Sequence, residues 1–243
     1  MNVTQNVEQA ARIFPDKPAI IFEGRQISYK ELNTTAARLA QAMEKHGVKA
    51  GDRVALYLPN IPEFVMCYEA TLRIGAIAVS VNPMLKAGEL EYILNDSEAV
   101  LLCTVGELLE NVKQKDYSQL THVLVCEGDA GGHPTLSDWI SESDPEGIPM
   151  RDMDRNDVAV ILYTSGTTGF PKGAMLTHAN VVSNSWTAAN CSRVTKDDRS
   201  ALFLPIFHVF GQNYIMNGAF NACATLVMFR RFVPDVVLSS IAA

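Results

Sequence analysis

Residues 158–173 read VAVILYTSGTTGFPKG. The first six, Val158 to Tyr163, form a continuous apolar run, the pattern of a strand covered on both faces. The next ten, Thr164 to Gly173, hold three glycines, four hydroxyl residues and one lysine. Glycines let backbone N–H groups approach an oxyanion closely and tolerate positive φ. The hydroxyls add donors and Lys172 adds a point charge. Pro171 stiffens part of the loop. A strand feeding such a loop suits a polyphosphate. It is not the GxxxxGK[ST] loop, because Lys172 precedes Gly173 and lies three residues after Gly169. It is not a GxSxG elbow either, since Ser165 follows Tyr163 and Thr164.

Upstream, strand and helix patterns alternate. Ala19 to Phe22 and Gln26 to Ser28 predict a hairpin around Glu23-Gly24. Ser28 and Glu31 make a capping-box pattern, and Leu32, Ala36, Leu39 and Met43 carry helical spacing from Tyr29 to His46, with Gly47 as the stop. Arg53 to Leu58 reads as a strand. Asn60 and Glu63 repeat the capping pattern, with Pro62 early in a helix running to about Ile74. Ala76 to Val81 reads as a strand, Ala87 to Asp96 as a helix, and Ala99 to Cys103 and His122 to Cys126 as strands. A polar helical stretch separates the last two. Thr177 is placed to cap a further helix, which makes the adjacent His178 structural. The alternation predicts βαβ units, an α/β fold with mainly parallel sheet and flanking helices. Turn-rich segments at 128–134 and 141–149 suggest a boundary near 150, dividing the chain into 1–150 and 151–243.

The chain has 243 residues, 48% of them hydrophobic and 19% charged, enough for a sizeable core. Its net charge of −7 argues against a nucleic-acid partner. The acids concentrate between residues 91 and 146, which reads as a solvated face. The start, MNVTQNVEQAARIFPD, lacks a basic and apolar leader pattern, and no apolar run is long enough to span a bilayer, so a cytoplasmic protein is expected. Peripheral membrane contact and oligomeric state stay open. Cys67, Cys103, Cys126, Cys191 and Cys223 are widely spaced with no CxxC pair, and no HExxH occurs. Buried, reduced thiols are expected and no metal ligand is assigned.

The segment YTSGTTGFPKG resembles the signature of the adenylate-forming (AMP-binding) enzymes: acyl-CoA synthetases, peptide-synthetase adenylation domains and luciferases. Gly75 to Ala99, GAIAVSVNPMLKAGELEYILNDSEA, and Leu204 to Gly211, LPIFHVFG, resemble further segments of that family, with the likeness strongest to long-chain fatty acyl-CoA synthetases. The resemblance implies two stacked α/β sheets, a small barrel and a mobile C-terminal domain. It implies a reaction in which a fatty carboxylate attacks the α-phosphorus of ATP, pyrophosphate leaves, and a thiol, usually CoA, displaces AMP. Thr164, Ser165, Gly166, Thr167, Thr168, Gly169 and Lys172 would cradle the β- and γ-phosphates, with Lys172 and Thr164 in the catalytic role of steadying the leaving pyrophosphate. His208 would line the carboxylate pocket, and Phe207, Phe210 and Gly211 would shape the acyl channel. Flanked by Phe207 and Val209 alone, His208 would read as a core residue. No general base is needed, because a carboxylate is already ionised at neutral pH. Magnesium is expected with ATP, but no carboxylate for it can be picked out.

By the same resemblance, the family's YGxTE and TGD segments and its C-terminal catalytic lysine lie outside these 243 residues. The last ten residues, PDVVLSSIAA, predict a helix opening at Pro234 with no stop signal. The chain is therefore expected to be the N-terminal part of a longer enzyme and inactive alone. Two alternatives stand beside a CoA ligase: an adenylating enzyme that loads a carrier protein, and a non-catalytic binding or scaffold fragment.

Overall fold

A computed structural model of the chain describes residues 1–112, 117–164 and 171–242. Its strands are β1 (Pro18–Phe22), β2 (Arg25–Ser28), β3 (Arg53–Tyr57), β4 (Ile77–Ser80), β5 (Ala99–Val105), β6 (His122–Glu127), β7 (Val158–Thr164), β8 (Lys172–Thr177), β9 (Arg199–Leu202) and β10 (Thr225–Met228). Its helices are α1 (Gln5–Ile13), α2 (Tyr29–Lys45), α3 (Pro62–Arg73), α4 (Ala87–Asp96), α5 (Leu136–Ser141), α6 (His178–Cys191), α7 (Gly218–Asn221) and α8 (Pro234–Ala242). A 3-10 turn covers Gly106–Asn111, and a π-helical segment covers Phe210–Asn217.

Two sheets result, ordered β2-β1-β10-β9 and β6-β5-β3-β4-β7-β8. All neighbours run parallel except the β1–β2 and β7–β8 pairs. Both sheets take strands from either side of residue 150.

The six-stranded sheet is covered on both faces, as the unbroken apolar runs predict. Val54, Leu56, Ala78, Val160 and Leu162 share a core with α3, whereas the alternating Ala55, Val79 and Ile161 pack with Leu90, Ile93 and Leu94 of α4. Helix α2 packs on β1 and β2, α3 packs on β3 and β4, and the two helices pack on each other. They form the layer between the sheets. That position explains why nearly every residue of α3 is buried, Glu69 and Arg73 included. Each large side chain placed there contributes about 1.5–3 kcal/mol relative to exposure.

Local signals mostly appear where expected. Ser28 caps α2 by accepting from the Glu31 N–H at 3.1 Å, and Gly47 ends the helix at φ +90°. The Asn60–Glu63 capping pattern is corrected. The residue before α3 is Ile61, with no side-chain cap, and Asn60 spends its amide elsewhere. Asn60 Nδ2 donates to the Leu204 carbonyl at 2.8 Å, and its Oδ1 accepts from the Ile206 N–H at 2.9 Å. A long-range pairing thus outcompetes the local cap. The cysteines also differ from expectation: Cys67 and Cys103 are buried, Cys126 and Cys223 are half-buried, and Cys191 is exposed. No helix among the described residues is long and apolar enough to cross a membrane.

Candidate active site

Strand β8 returns antiparallel beside β7, so the two strands form a hairpin. Thr164 and Lys172 are directly paired in that ladder. Directly opposed residues project to the same face, so a hydroxyl and an ammonium stand together at the hairpin's mouth. Both are exposed. Ser165, Gly166, Thr167, Thr168 and Gly169 lie outside the described residues. Strand β8 is a feature the sequence reading did not assign.

Helix α4 braces both arms of this hairpin. The Tyr163 hydroxyl donates to Asp96 Oδ2 at 2.6 Å, and the Tyr92 hydroxyl donates to the Pro171 carbonyl at 3.2 Å. Burial first, then the Asp96 carboxylate, raises the Tyr163 phenol above its ordinary range, so it stays a donor at neutral pH.

The second cluster is a turn leading into the π-helical segment. Ile206 is buried, Phe207 is half-buried, and His208, Val209 and Phe210 are exposed. The His208 Nδ1 accepts from the Phe210 N–H at 3.3 Å, which leaves Nε2 as the ring's donor. Phe210 stacks on Tyr214 at 4.8 Å between centroids. Gly211 is buried, and a Cβ there would lie 2.3 Å from the Pro205 carbonyl oxygen. Only glycine lets the segment begin this close to the turn.

One residue beyond, Gln212 fixes the cluster in the fold. Its Nε2 donates to Ser80 Oγ at 2.7 Å, and both residues are buried. Ser80 ends β4 and pairs with Leu162 of β7, two residues before Thr164. The His208 turn is thereby tied to the strand beside the β7–β8 hairpin, at the carboxyl ends of β4 and β7. Connections leave in opposite directions from β4 and β7, since the chain after β4 returns across β3 to β5 while the chain after β7 runs outward to β8. Ligands of open α/β sheets bind outside the carboxyl ends near such a reversal. Asn60, Ser80 and Gln212 carry no pattern that picks them out, so sequence reasoning missed them. A divalent cation would need oxygen donors; the described hairpin mouth supplies the Thr164 hydroxyl and a cationic Lys172, and Asp96 is engaged by Tyr163. The described side chains do not make a magnesium site.

The three segments quoted from the sequence therefore meet around one sheet edge, and residues 7–242 match the family model described as AMP-binding enzyme. The chain belongs to this family. Among AMP-binding enzymes and their relatives, it is 31% identical over 257 residues to the long-chain-fatty-acid–CoA ligase of Bacillus subtilis (strain 168), covering 93% of this chain and 46% of that protein. The structure of the anthranilate CoA ligase AuaEII in complex with anthranoyl-AMP superposes with a TM-score of 0.93 at 27% identity, covering 99% of this chain and 48% of that one. ATP-bound MatB from Rhodopseudomonas palustris superposes with a TM-score of 0.85 at 32% identity, covering 100% and 48% respectively. The chain spans about half the length of the curated relatives it matches. Its two sheets with flanking helices are the N-terminal architecture of acyl-CoA ligases.

Proposed function

We propose that the chain is the phosphate- and acyl-binding portion of an ATP-dependent, AMP-forming ligase that joins a fatty carboxylate to CoA. The supporting observation is the Gln212–Ser80 bond, which couples the His208 turn to the strand next to the Thr164–Lys172 pair. Residues 151–243 carry both clusters, and residues 1–150 supply the frame that holds them, α4 and Ser80 included. A carboxylate oxygen bonds to the α-phosphorus as the bond to pyrophosphate breaks, and pyrophosphate leaves with the electron pair. Lys172 and Thr164, with the glycine and hydroxyl residues 165–169, neutralise the charge that grows on it. His208 Nε2 donates to the carboxylate and orients it. Phe207 and Phe210 supply apolar surface for the chain, and Gly211 sets the turn they stand on. The thiol sulfur of CoA then attacks the acyl carbon and AMP departs.

Equilibrium binding of ATP and of a fatty acid to wild type and Lys172→Ala tests this. The variant is expected to lose about 1.5–3 kcal/mol for ATP, the range of a charged hydrogen bond, or roughly tenfold and more in affinity. Fatty-acid binding should be unchanged. Equal loss of both ligands would overturn the assignment of Lys172 to the phosphates.

A further inference from the structure

Three cysteines that are far apart in sequence meet in the core. Cys67 lies on α3, Cys103 on β5 and Cys126 on β6. Cys103 pairs with Leu124, the β5–β6 register shifts beside Cys126, and all three cysteines belong to or pack against the core cluster that includes α3. The three Sγ atoms all lie within 4.8 Å of one another, and Cys67 Sγ is 3.7 Å from Cys126 Sγ. A tetrahedral ion with bonds of about 2.3 Å to sulfur sets its sulfurs about 3.8 Å apart. The Cys67–Cys126 spacing already has that value. A point among three atoms no more than 4.8 Å apart lies within about 2.8 Å of each, so a shift on the order of 0.5 Å would complete the set.

The cluster also has an access route. Cys126 lines a surface cavity together with Arg25, Glu63, Met66 and Glu127. Glu63 sits one helical turn before Cys67 on α3, so the two side chains share a face of that helix. The helix thus presents a carboxylate and a thiol, and the sheet two more thiols.

We propose that Cys67, Cys103 and Cys126 form a three-sulfur site for a thiophilic divalent d10 cation of the zinc class, with its fourth position open to the cavity lined by Glu63. Binding forms three metal–sulfur bonds and releases three thiol protons to solvent, with no electron transferred. The loaded site carries one net negative charge, and the cavity beside it holds Arg25 together with the Glu63 and Glu127 carboxylates. Soft sulfur donors select such ions over magnesium or calcium. This site is independent of the ligase reading, which uses none of its residues.

The test titrates the reduced, metal-stripped chain with Cd2+ as an optical probe and then competes with Zn2+. A thiolate-to-metal charge-transfer band should saturate at one equivalent and bleach as zinc displaces cadmium. Alkylation mapped by mass spectrometry should show the half-buried Cys126 reactive in the metal-free chain and protected once metal is bound, with the buried Cys67 and Cys103 slow in both states and the exposed Cys191 reactive throughout. Cys126→Ser should weaken binding at least about tenfold, and Glu63→Gln about ten- to a hundredfold while keeping the band. Cys191→Ser should bind as wild type. A band that follows Cys191, or no metal-dependent protection of Cys126, would overturn the proposal. So would protection of Cys126 that needs peroxide and is reversed by reductant, since that assigns it to a disulfide with Cys67. The protection map uses the wild-type chain and does not depend on any variant folding.

Discussion

His178 follows the Thr177 cap of α6 and is fully buried. Its Nδ1 accepts from the Val3 N–H at 3.2 Å, so the neutral ring ties the N-terminal segment to the hairpin's outgoing strand. Among the described residues its Nε2 has no hydrogen-bond partner. Burial pushes the imidazole down from 6.5 to about 4, with Asp157 opposing. The folded value lies below the unfolded one, so the unfolded chain binds more protons between about pH 4 and 6.5. Stability should therefore be flat above that window and fall as pH drops through it, by at most roughly 3 kcal/mol at about 1.36 kcal/mol per pKa unit. Urea melts at several pH values check this. His178→Gln should be less stable near neutrality and should show a shallower slope across the same window. An unchanged slope would remove His178 as the cause.

At the scale of elements, the site depends on side chains that join one segment to another. Asn60, between β3 and α3, holds the 204–206 turn by donating to one carbonyl and accepting from one N–H. It is almost fully buried, so its removal leaves these groups without their partner and without water. Asn60→Ala should cost about 1–3 kcal/mol for each group left unsatisfied. Hydrogen exchange at Ile206 should accelerate more than exchange in the β3–β4 ladder. Uniform acceleration across both sheets would instead indicate global loosening. Helix α4 plays the matching part for the hairpin, through Tyr92 to Pro171 and Asp96 to Tyr163. That bracing connects the Gly75–Ala99 segment to the β7–β8 hairpin.

At the scale of the molecule, the chain spans about half the length of the curated relatives it matches. The 243 residues hold the β7–β8 hairpin and the His208 turn and match only that share of each relative. The chain by itself is therefore expected to give no useful ATP–pyrophosphate exchange with fatty acids. Clear turnover in that assay would show that the described elements suffice. In a version extended to the length of those relatives, comparing free CoA with a carrier protein as acceptor separates the two ligase readings.

Much of this was present in the one-dimensional pattern. The apolar run before Thr164, the helical spacing of Leu32 to Met43, the Ser28 cap and the Ala87–Asp96 helix are local signals, and local sterics and burial decide them. The α/β class followed from those signals, and the family from the resemblance carried by residues 163–173. Pairings over long sequence separation were not legible. Asn60 looked like a cap because the same amide can satisfy a nearby helix end or a distant turn, and only the assembled fold brings the turn within reach. Strand β8 has little alternation of its own and is held by its ladder with β7. The meeting of Cys67, Cys103 and Cys126 depends on α3 lying over β5 and β6, which no spacing along the chain encodes. Sequence alone determined many of the strands and helices and the position of the loop after β7. The tertiary structure decided which of their side chains meet, because a contact across many tens of residues exists only once the sheets have closed around it.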